Sequence, residues 1–272
     1  MNQHSPSPRS ALAIGLAAIL VAPIALADAE FSAEMVQRGP DGQSSVGKIL
    51  VGKDKTRTEA VHQGQSLVRI TDEQRGLEWI LFPERKSYVE RSTLGPDGKP
   101  KAEPTAQDPC AGVPGLSCQA KGEETISGRS TLVWEITVSQ HGKTATVTQW
   151  IDKERGPAFA LRQTMVEGGQ MERSLLGQEE LAGRKTEKWE VKMTGPDGQT
   201  LATTEWYDPE LQMAIKQESP GGMVSELVGI RVGPQADEAL PLAPRRPRPL
   251  VGRIRLPGRL AETAERLALP RA

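Results

Sequence analysis

The chain has 272 residues, a formal net charge of −1, 4% aromatic residues and two cysteines. This length is enough for one large domain or two small ones. The near-zero charge hides an asymmetry: residues 28–244 contain 25 basic and 33 acidic side chains, whereas the segment from Arg245 onward has eight arginines and two glutamates. The acidic body argues against nucleic acid as a partner.

Residues 1–27 are predicted to be a secretory signal peptide. Residues 11–27 are apolar and small, and Ala25-Leu26-Ala27 fits the cleavage rule. The alternative, an uncleaved membrane anchor, is disfavoured because the apolar segment is short, Pro23 interrupts it and no basic cluster follows. We therefore expect an exported, periplasmic chain whose mature form begins at Asp28. No cysteine follows the predicted cleavage site, so a lipid anchor is not indicated.

The first third of the body reads as short strands joined by turns. Residues 31–51 predict a strand, a Gly-Pro-Asp-Gly turn and a second strand. Four more short strands are predicted at 55–63, 66–72, 78–84 and 86–91.

The two cysteines predict one disulfide bond. Cys110 and Cys118 lie eight positions apart in a Pro- and Gly-rich loop, residues 104–118. In an oxidising compartment such a pair is expected to bridge. A metal site would need histidine or further cysteine nearby, and the sequence offers neither.

An internal repeat organises the rest of the body, with units of about 122–176 and 177–232. Residues 122–136 and 177–191 share seven of fifteen positions, where chance gives about one. The shared residues are Gly122/Gly177, Glu124/Glu179, Gly128/Gly183, Arg129/Arg184, Thr131/Thr186, Trp134/Trp189 and Glu135/Glu190. Trp150 and Trp206 form a later pair of matching positions, each two residues before an aspartate.

Each repeat predicts antiparallel strands with one apolar face. Trp134 and Ile136 alternate with polar residues in the first copy, as Trp189 and Val191 do in the second. In all we predict an all-β, mainly antiparallel fold with few helices. About ten or eleven strands, built from repeated hairpin units, would form a curved, incompletely closed half-barrel over residues 28–232.

The tail, residues 233–272, is rich in Pro and Arg and predicts disorder, with a possible short amphipathic helix at 258–269. Its arginines favour an anionic membrane surface or an envelope protein as a partner. The alternatives are a solubilising end and a segment that folds back on the acidic body. The arginines concerned are Arg245, Arg246, Arg248, Arg253, Arg255 and Arg259.

Three segments resemble the periplasmic lipoprotein carriers of the LolA-like and LolB-like superfamily. The opening strand from Phe31 leads through a Gly-rich hairpin into VGKDKTRTE (51–59). EWILFPERKSYVE (78–90) is similar to a hairpin of that family, and WYDPELQMAIKQES (206–219) echoes it. The resemblance implies an unclosed antiparallel half-barrel whose concave side receives acyl chains. It is closest to uncharacterised exported relatives with a Cys pair and Gly-Arg-x-Thr-x-x-Trp-Glu repeats.

The sequence departs from the carriers in ways that separate fold from activity. No helix is predicted before Phe31 or over the cavity, Lys53 stands where the carriers have arginine, and the cysteine loop has no counterpart in them. The fold is therefore expected to carry over, and the lipoprotein-carrier activity is not.

The sequence contains no recognisable catalytic, metal or cofactor motif. His4 lies in the signal, and His62 and His141 are predicted at strand ends or turns, where a histidine is usually solvated. Asp152 and Asp208 follow strands, as turn-forming residues do. We therefore predict a protein that is not an enzyme and uses no cofactor.

The repeated tryptophans have two interpretations. In a closed sandwich they are core, which is the commoner case; in a half-barrel they line a cavity for an apolar or amphiphilic ligand. The predicted ligand-binding residues are Trp134, Ile136, Trp189, Val191, Trp150 and Trp206. Arg129 and Arg184 either fix their turns or bind an anionic head group. The alternative function is a structural or partner-binding envelope module without a small ligand.

Overall fold

The computed structural model describes residues 29–235 except 63, 96, 97, 99–101, 103, 141, 142 and 167. The predicted signal peptide, residues 236–272 of the predicted tail with all its arginines, His4 and His141 lie outside these residues. The predicted boundaries of the β domain at 28 and 232 stay a prediction.

In this part of the chain, fifteen antiparallel strands form one curved sheet that does not close on itself. The strands are β1 Phe31–Arg38, β2 Ser44–Val51, β3 Lys55–His62, β4 Gln65–Asp72, β5 Leu77–Phe82, β6 Ser87–Ser92, β7 Leu116–Ile126, β8 Arg129–Gln140, β9 Lys143–Asp152, β10 Ala160–Thr164, β11 Gln170–Leu181, β12 Arg184–Thr194, β13 Thr200–Asp208, β14 Met213–Ser219 and β15 Met223–Val232. Strands that follow one another in the chain pair with each other, except β6 and β7, which form the two edges of the sheet. In addition, β1 pairs with β15.

The predicted all-β, open and curved fold is confirmed, but the predicted strand number of ten or eleven is too low. The strands β7 and β11, which precede the Gly-Arg turn of each repeat, are mostly polar and exposed. Hydrophobic alternation does not mark such strands, which is why the sequence pattern misses them. Two single turns of 3-10 helix, Pro83–Arg85 and Pro157–Phe159, interrupt the strands. Among the described residues there is no helix with the length and hydropathy of a membrane span.

The Gly-Arg motif of each repeat forms a tight two-residue turn. Ser127 and Gly128 both have positive φ, at 50° and 75°, and Ala182 and Gly183 have 53° and 77°. Positive φ at both central positions is the geometry that matches the twist of a two-residue hairpin, and glycine adopts it without strain. The repeated glycine is therefore explained by the turn between β7 and β8 and between β11 and β12.

The buried side chains do not all lie on one face of the sheet. Phe31, Val51 and Leu227 form a core where β1 meets β2 and β15. Ile70 and Trp79 form a smaller core in β4 and β5. Paired residues share a face of the sheet, so Val51, Thr56 and Thr71, which are paired in turn, lie on one face. Ile70 precedes Thr71 in the same strand and therefore lies on the other face. The N-terminal third thus buries side chains on both faces of the sheet.

Candidate functional site

Four of the six predicted ligand-binding residues share one face of the sheet. Trp134 is paired with Gln149, which contacts Gln163 of β10, and Trp189 is paired with Glu205. Following these pairs across the sheet places Trp134, Ile136, Trp189 and Val191 on one side, which we call the apolar face. Trp206 is paired with Lys188, the neighbour of Trp189, and therefore lies on the opposite face.

Trp150 also lies on the opposite face. It is paired with Val133, which alternates with Trp134. The structure thus separates the predicted residues into two groups, four on the apolar face and two behind it.

Trp189 is the centre of an aromatic cluster that the protein itself fills. Its exposed fraction is 0%. Its ring centroid lies 5.3 Å from that of Phe159, which meets the ring of Tyr207 at 4.8 Å, both in edge-to-face geometry. Leu161 completes the cluster. Edge-to-face pairs of buried rings are a stabilising core arrangement, so Trp189 packs as core.

Two arginines cover this cluster. The guanidinium of Arg155 lies 4.6 Å from the centroid of Phe159 and 4.4 Å from that of Tyr207, and Arg173 lies 4.6 Å from that of Phe159. Arg155 donates to Glu187 at 2.7 Å and Arg173 to Glu205 at 2.8 Å. Each buried charge is thereby paired.

The pKa shifts in the cluster follow from burial and from these ion pairs. Burial alone would raise the pKa of Glu187, but hydrogen bonds from Arg155 and from the indole of Trp189 hold it below the usual value. Burial raises the pKa of Tyr207. Glu187 is thus kept ionised and Tyr207 neutral near pH 7, which suits a structural cluster.

Trp134 lies beneath the cysteine loop. Its indole N–H donates to the carbonyl of Ala106 at 2.9 Å, and Ala106 is buried. The predicted disulfide is confirmed: Cys110 and Cys118 are bonded, with Cα atoms 5.9 Å apart. The disulfide links this loop to strand β7, so the loop is held against Trp134.

We expect the double substitution Cys110→Ser/Cys118→Ser to loosen this loop. For a closed loop of this size, chain entropy predicts a loss of about 2.5 kcal/mol in the free energy of unfolding. The emission of Trp134 should shift to longer wavelength, measured in a variant whose other tryptophans are phenylalanine. Unchanged emission with unchanged urea stability would show that the loop is held without the disulfide.

On the opposite face, Trp150 and Trp206 are flanked by basic side chains. Arg162 lies 5.2 Å from the centroid of Trp150, and Lys188 and Lys216 lie 4.8 and 4.6 Å from that of Trp206. These are direct cross-strand neighbours, so the pairs contribute to the sheet itself.

The repeated arginines are engaged inside the protein. Arg129 bonds to Asp152, and its Nη2 also donates to Glu154 at 2.8 Å. Arg184 bonds to Asp208 and Glu210 in the same way. Because both arginines already have two carboxylate partners, the interpretation in which they fix their turns is supported over head-group binding.

The repeated aspartates hold the turns that follow their strands. Asp152 accepts hydrogen bonds from the backbone amides of Glu154 and Arg155, and Asp208 accepts them from Glu210 and Leu211. In the N-terminal third, Asp72 accepts from the amide of Arg75. The structure therefore shows this turn three times, once more than the sequence repeat predicts.

The apolar face continues beyond the buried cluster into solvent-exposed side chains. Leu175 is paired with Trp189, and Met193 is paired with Leu201. Their exposed fractions are 42%, 38% and 61% for Leu175, Met193 and Leu201. We call these three residues the exposed strip. Met193 continues the alternation of Trp189 and Val191 along β12, whereas Leu201 is found only through the register across the turn at 195–199.

A polar cavity of about 270 Å³ lies between the β7–β8 turn and strands β10 and β11. The β10–β11 pairing ends at Arg162 and Glu172, and the turn residues Ile126 and Ser127 approach β11 where the pairing ends. Arg173 and the hydroxyls of Thr125, Ser127 and Ser174 also line the cavity. Sequence analysis did not single it out, because it depends on where a strand pairing ends.

Within the described residues, no group of three or more His, Cys, Asp or Glu side chains is placed to hold a metal ion. His62 ends strand β3.

No protein-family model and no curated protein matches the chain. Among solved structures, the chain is similar to MucB, with 12% identity and a TM-score of 0.33, over 82% of this chain and 60% of that one. It is also similar to a DUF1329 family protein from Desulfovibrio piger, with 14% identity and a TM-score of 0.34, over 80% and 92% of the two chains. The chain thus spans about 60% of the length of MucB.

A third match is a LolA superfamily protein from Nitrosomonas europaea. The identity is 13% and the TM-score 0.32, over 78% of this chain and 90% of that one. This match bears the family name that the sequence resembles.

Proposed function

We propose that this protein is a non-enzymatic, periplasmic protein that binds an apolar or amphiphilic ligand on the apolar face of its sheet. The observation that carries the proposal is the exposed strip of Leu175, Met193 and Leu201, which continues a buried apolar surface into solvent. Met193 and Leu201 are a direct cross-strand pair, and exposed apolar groups that adjoin one another mark binding surfaces more often than isolated ones do. Methionine, which adapts its shape, suits the contact with a flexible acyl chain.

The proposed binding surface, the exposed strip, does not coincide with the tryptophans that the sequence predicted to bind the ligand. Ile136, Trp189 and Val191 are buried by the protein's own side chains. Their proposed role is to support the strip from below, while the ligand lies over Leu175, Met193 and Leu201. Trp134 borders this surface under the cysteine loop, and Trp150 and Trp206 brace the sheet from the opposite face.

Binding of a fluorescent acyl probe to the mature protein tests this proposal. The double substitution Met193→Ser/Leu201→Ser is expected to weaken binding about tenfold or more, because two apolar contacts worth about 1.4 kcal/mol together are lost. The matched control is Lys192→Ser/Ala202→Ser, the adjacent cross-strand pair, whose side chains point to the opposite face. Equal affinities of the two variants, or no uptake of probe by the wild type, would refute the proposal.

The second candidate is an envelope module that binds a protein partner through a sheet edge. Strand β7 is an edge strand of eleven residues, and its outer backbone groups are available for strand addition by an extended segment. Cross-linking in membranes would reveal such a partner. The tail arginines remain a predicted contact for an anionic surface.

A further inference from the structure

We infer that Met193, in the exposed strip, is a site of reversible oxidation by a peroxide, and that its sulfoxide form releases the ligand. This inference rests on the proposed function, and it adds the regulation of that same site. Met193 is paired with Met171 of β11 on one side and with Leu201 of β13 on the other. Its thioether therefore stands in a cross-strand row of three apolar side chains, on the surface that would contact an acyl chain.

Met193 is the most exposed methionine in the part of the chain that the structure describes. Its exposed fraction is 38%, whereas the other five methionines of this part are half-buried. Two of them, Met35 and Met213, pack against the core around Phe31. Because a peroxide must reach the sulfur atom to oxidise it, Met193 should be oxidised first.

No cysteine thiol competes with the methionines for the peroxide. The chain has two cysteines, Cys110 and Cys118, and they are bonded to each other. A free thiolate would be the usual target of such an oxidant. Its absence leaves the thioethers as the reduced sulfur groups that a two-electron oxidant can attack.

The proposed modification is a balanced two-electron reaction. The sulfur of Met193 gives two electrons to hydrogen peroxide: the O–O bond breaks, an S–O bond forms and water leaves. In the reverse direction, two thiols supply two electrons through a methionine sulfoxide reductase; they become a disulfide, and the oxygen leaves as water. The exposure of Met193 gives both the oxidant and the reductase access to the side chain.

A sulfoxide at this position would be costly under a bound acyl chain. Its oxygen is a hydrogen-bond acceptor, and neither Met171 nor Leu201, the cross-strand partners of Met193, has a side-chain donor for it. In the free protein, water solvates the oxygen. An acyl chain lying over the strip would remove that water without replacing its hydrogen bonds, so oxidation is expected to weaken binding about tenfold.

Limited treatment of the mature protein with hydrogen peroxide, followed by mass spectrometry of its peptides, tests the order of oxidation. Met193 is expected to be oxidised before Met35 and Met213. The affinity for the fluorescent acyl probe is measured before the treatment, after it, and after reduction by a methionine sulfoxide reductase with dithiothreitol. It is expected to fall about tenfold and then to return.

The variants Met193→Leu and Met171→Leu locate the effect. Leucine keeps an apolar side chain of similar volume but has no sulfur. In each variant the measured quantity is the ratio of the affinities before and after peroxide. We expect no change in affinity for Met193→Leu and a fall of about tenfold for Met171→Leu, which keeps Met193.

Three results would overturn the inference while leaving the proposed function standing. The first is equal probe affinity before and after Met193 is oxidised, or no recovery with the reductase. The second is oxidation of Met35 or Met213 ahead of Met193. The third is a fall in affinity for Met193→Leu as large as that for Met171→Leu. Unoxidised wild-type protein that binds no probe would overturn both proposals.

Discussion

The substitution Trp189→Ala is expected to lower the free energy of unfolding by about 3–5 kcal/mol, the range for a large aromatic side chain lost from a core. The side chain is fully buried and contacts Phe159. The substitution also removes a hydrogen bond, in which the indole N–H of Trp189 donates to Glu187 at 2.9 Å. Urea unfolding measured by circular dichroism gives the difference directly.

The matched control is Trp150→Ala, the removal of a half-buried tryptophan from the opposite face. We expect a loss of about 1–2 kcal/mol in the free energy of unfolding. The removed side chain buries less apolar surface than Trp189 does, and the space that it leaves is open to solvent. If both variants lost the same stability, the two faces would be equally packed, and the distinction between a filled apolar face and a bracing opposite face would be wrong.

Asp152→Asn is expected to cost about 3 kcal/mol, because it leaves the half-buried Arg129 without its buried carboxylate. The side chain of Asp152 is 1% exposed, whereas Glu154, which bonds to the same Arg129, is 83% exposed. Glu154→Gln is therefore the control, with an expected loss below about 1 kcal/mol. Similar losses for the two would show that burial of Asp152 contributes nothing to the ion pair.

The same ion pair predicts a dependence of stability on pH. Burial alone would raise the pKa of Asp152, but hydrogen bonds from Arg129 and from the amides of Arg155 and Glu154 hold it below the usual value. A carboxyl group with a lowered pKa contributes its stability above the unfolded pKa of about 3.9 and loses it as the pH falls through the folded pKa. The stability difference between wild type and Asp152→Asn should thus be constant near pH 7 and shrink below about pH 4.

Local patterns in the sequence predict most of the fold. Alternation around Trp134 and Trp189 and the Gly-Pro-Asp-Gly turns locate the hairpins, because side-chain direction and turn geometry are decided by adjacent residues. The cysteine spacing predicts the disulfide. The strands β7 and β11 are missed because most of their side chains are polar and exposed, so no alternation marks them.

The candidate site is less predictable, because it depends on register between strands. The pairing of Gln140 with Lys143 fixes the register of β8 and β9, and counting back from it places Trp134 opposite Gln149 and Trp150 on the other face. The sequence contains this information only once one residue pair between the two strands is known. The exposed strip and the polar cavity depend likewise on pairing across β10, β11 and β13.

The pairing of β1 with β15 has a kinetic consequence. All other neighbouring strands in the sheet follow one another in the chain, so their hairpins form by closing short loops. Among the described strands, only the pairing of β1 with β15, which joins Phe31 to Val232, requires nearly the whole body of the chain to be closed. Strands β1–β6 and β7–β15 can therefore collapse as separate folding units, and their docking along this seam is the step that loop-closure entropy makes slowest.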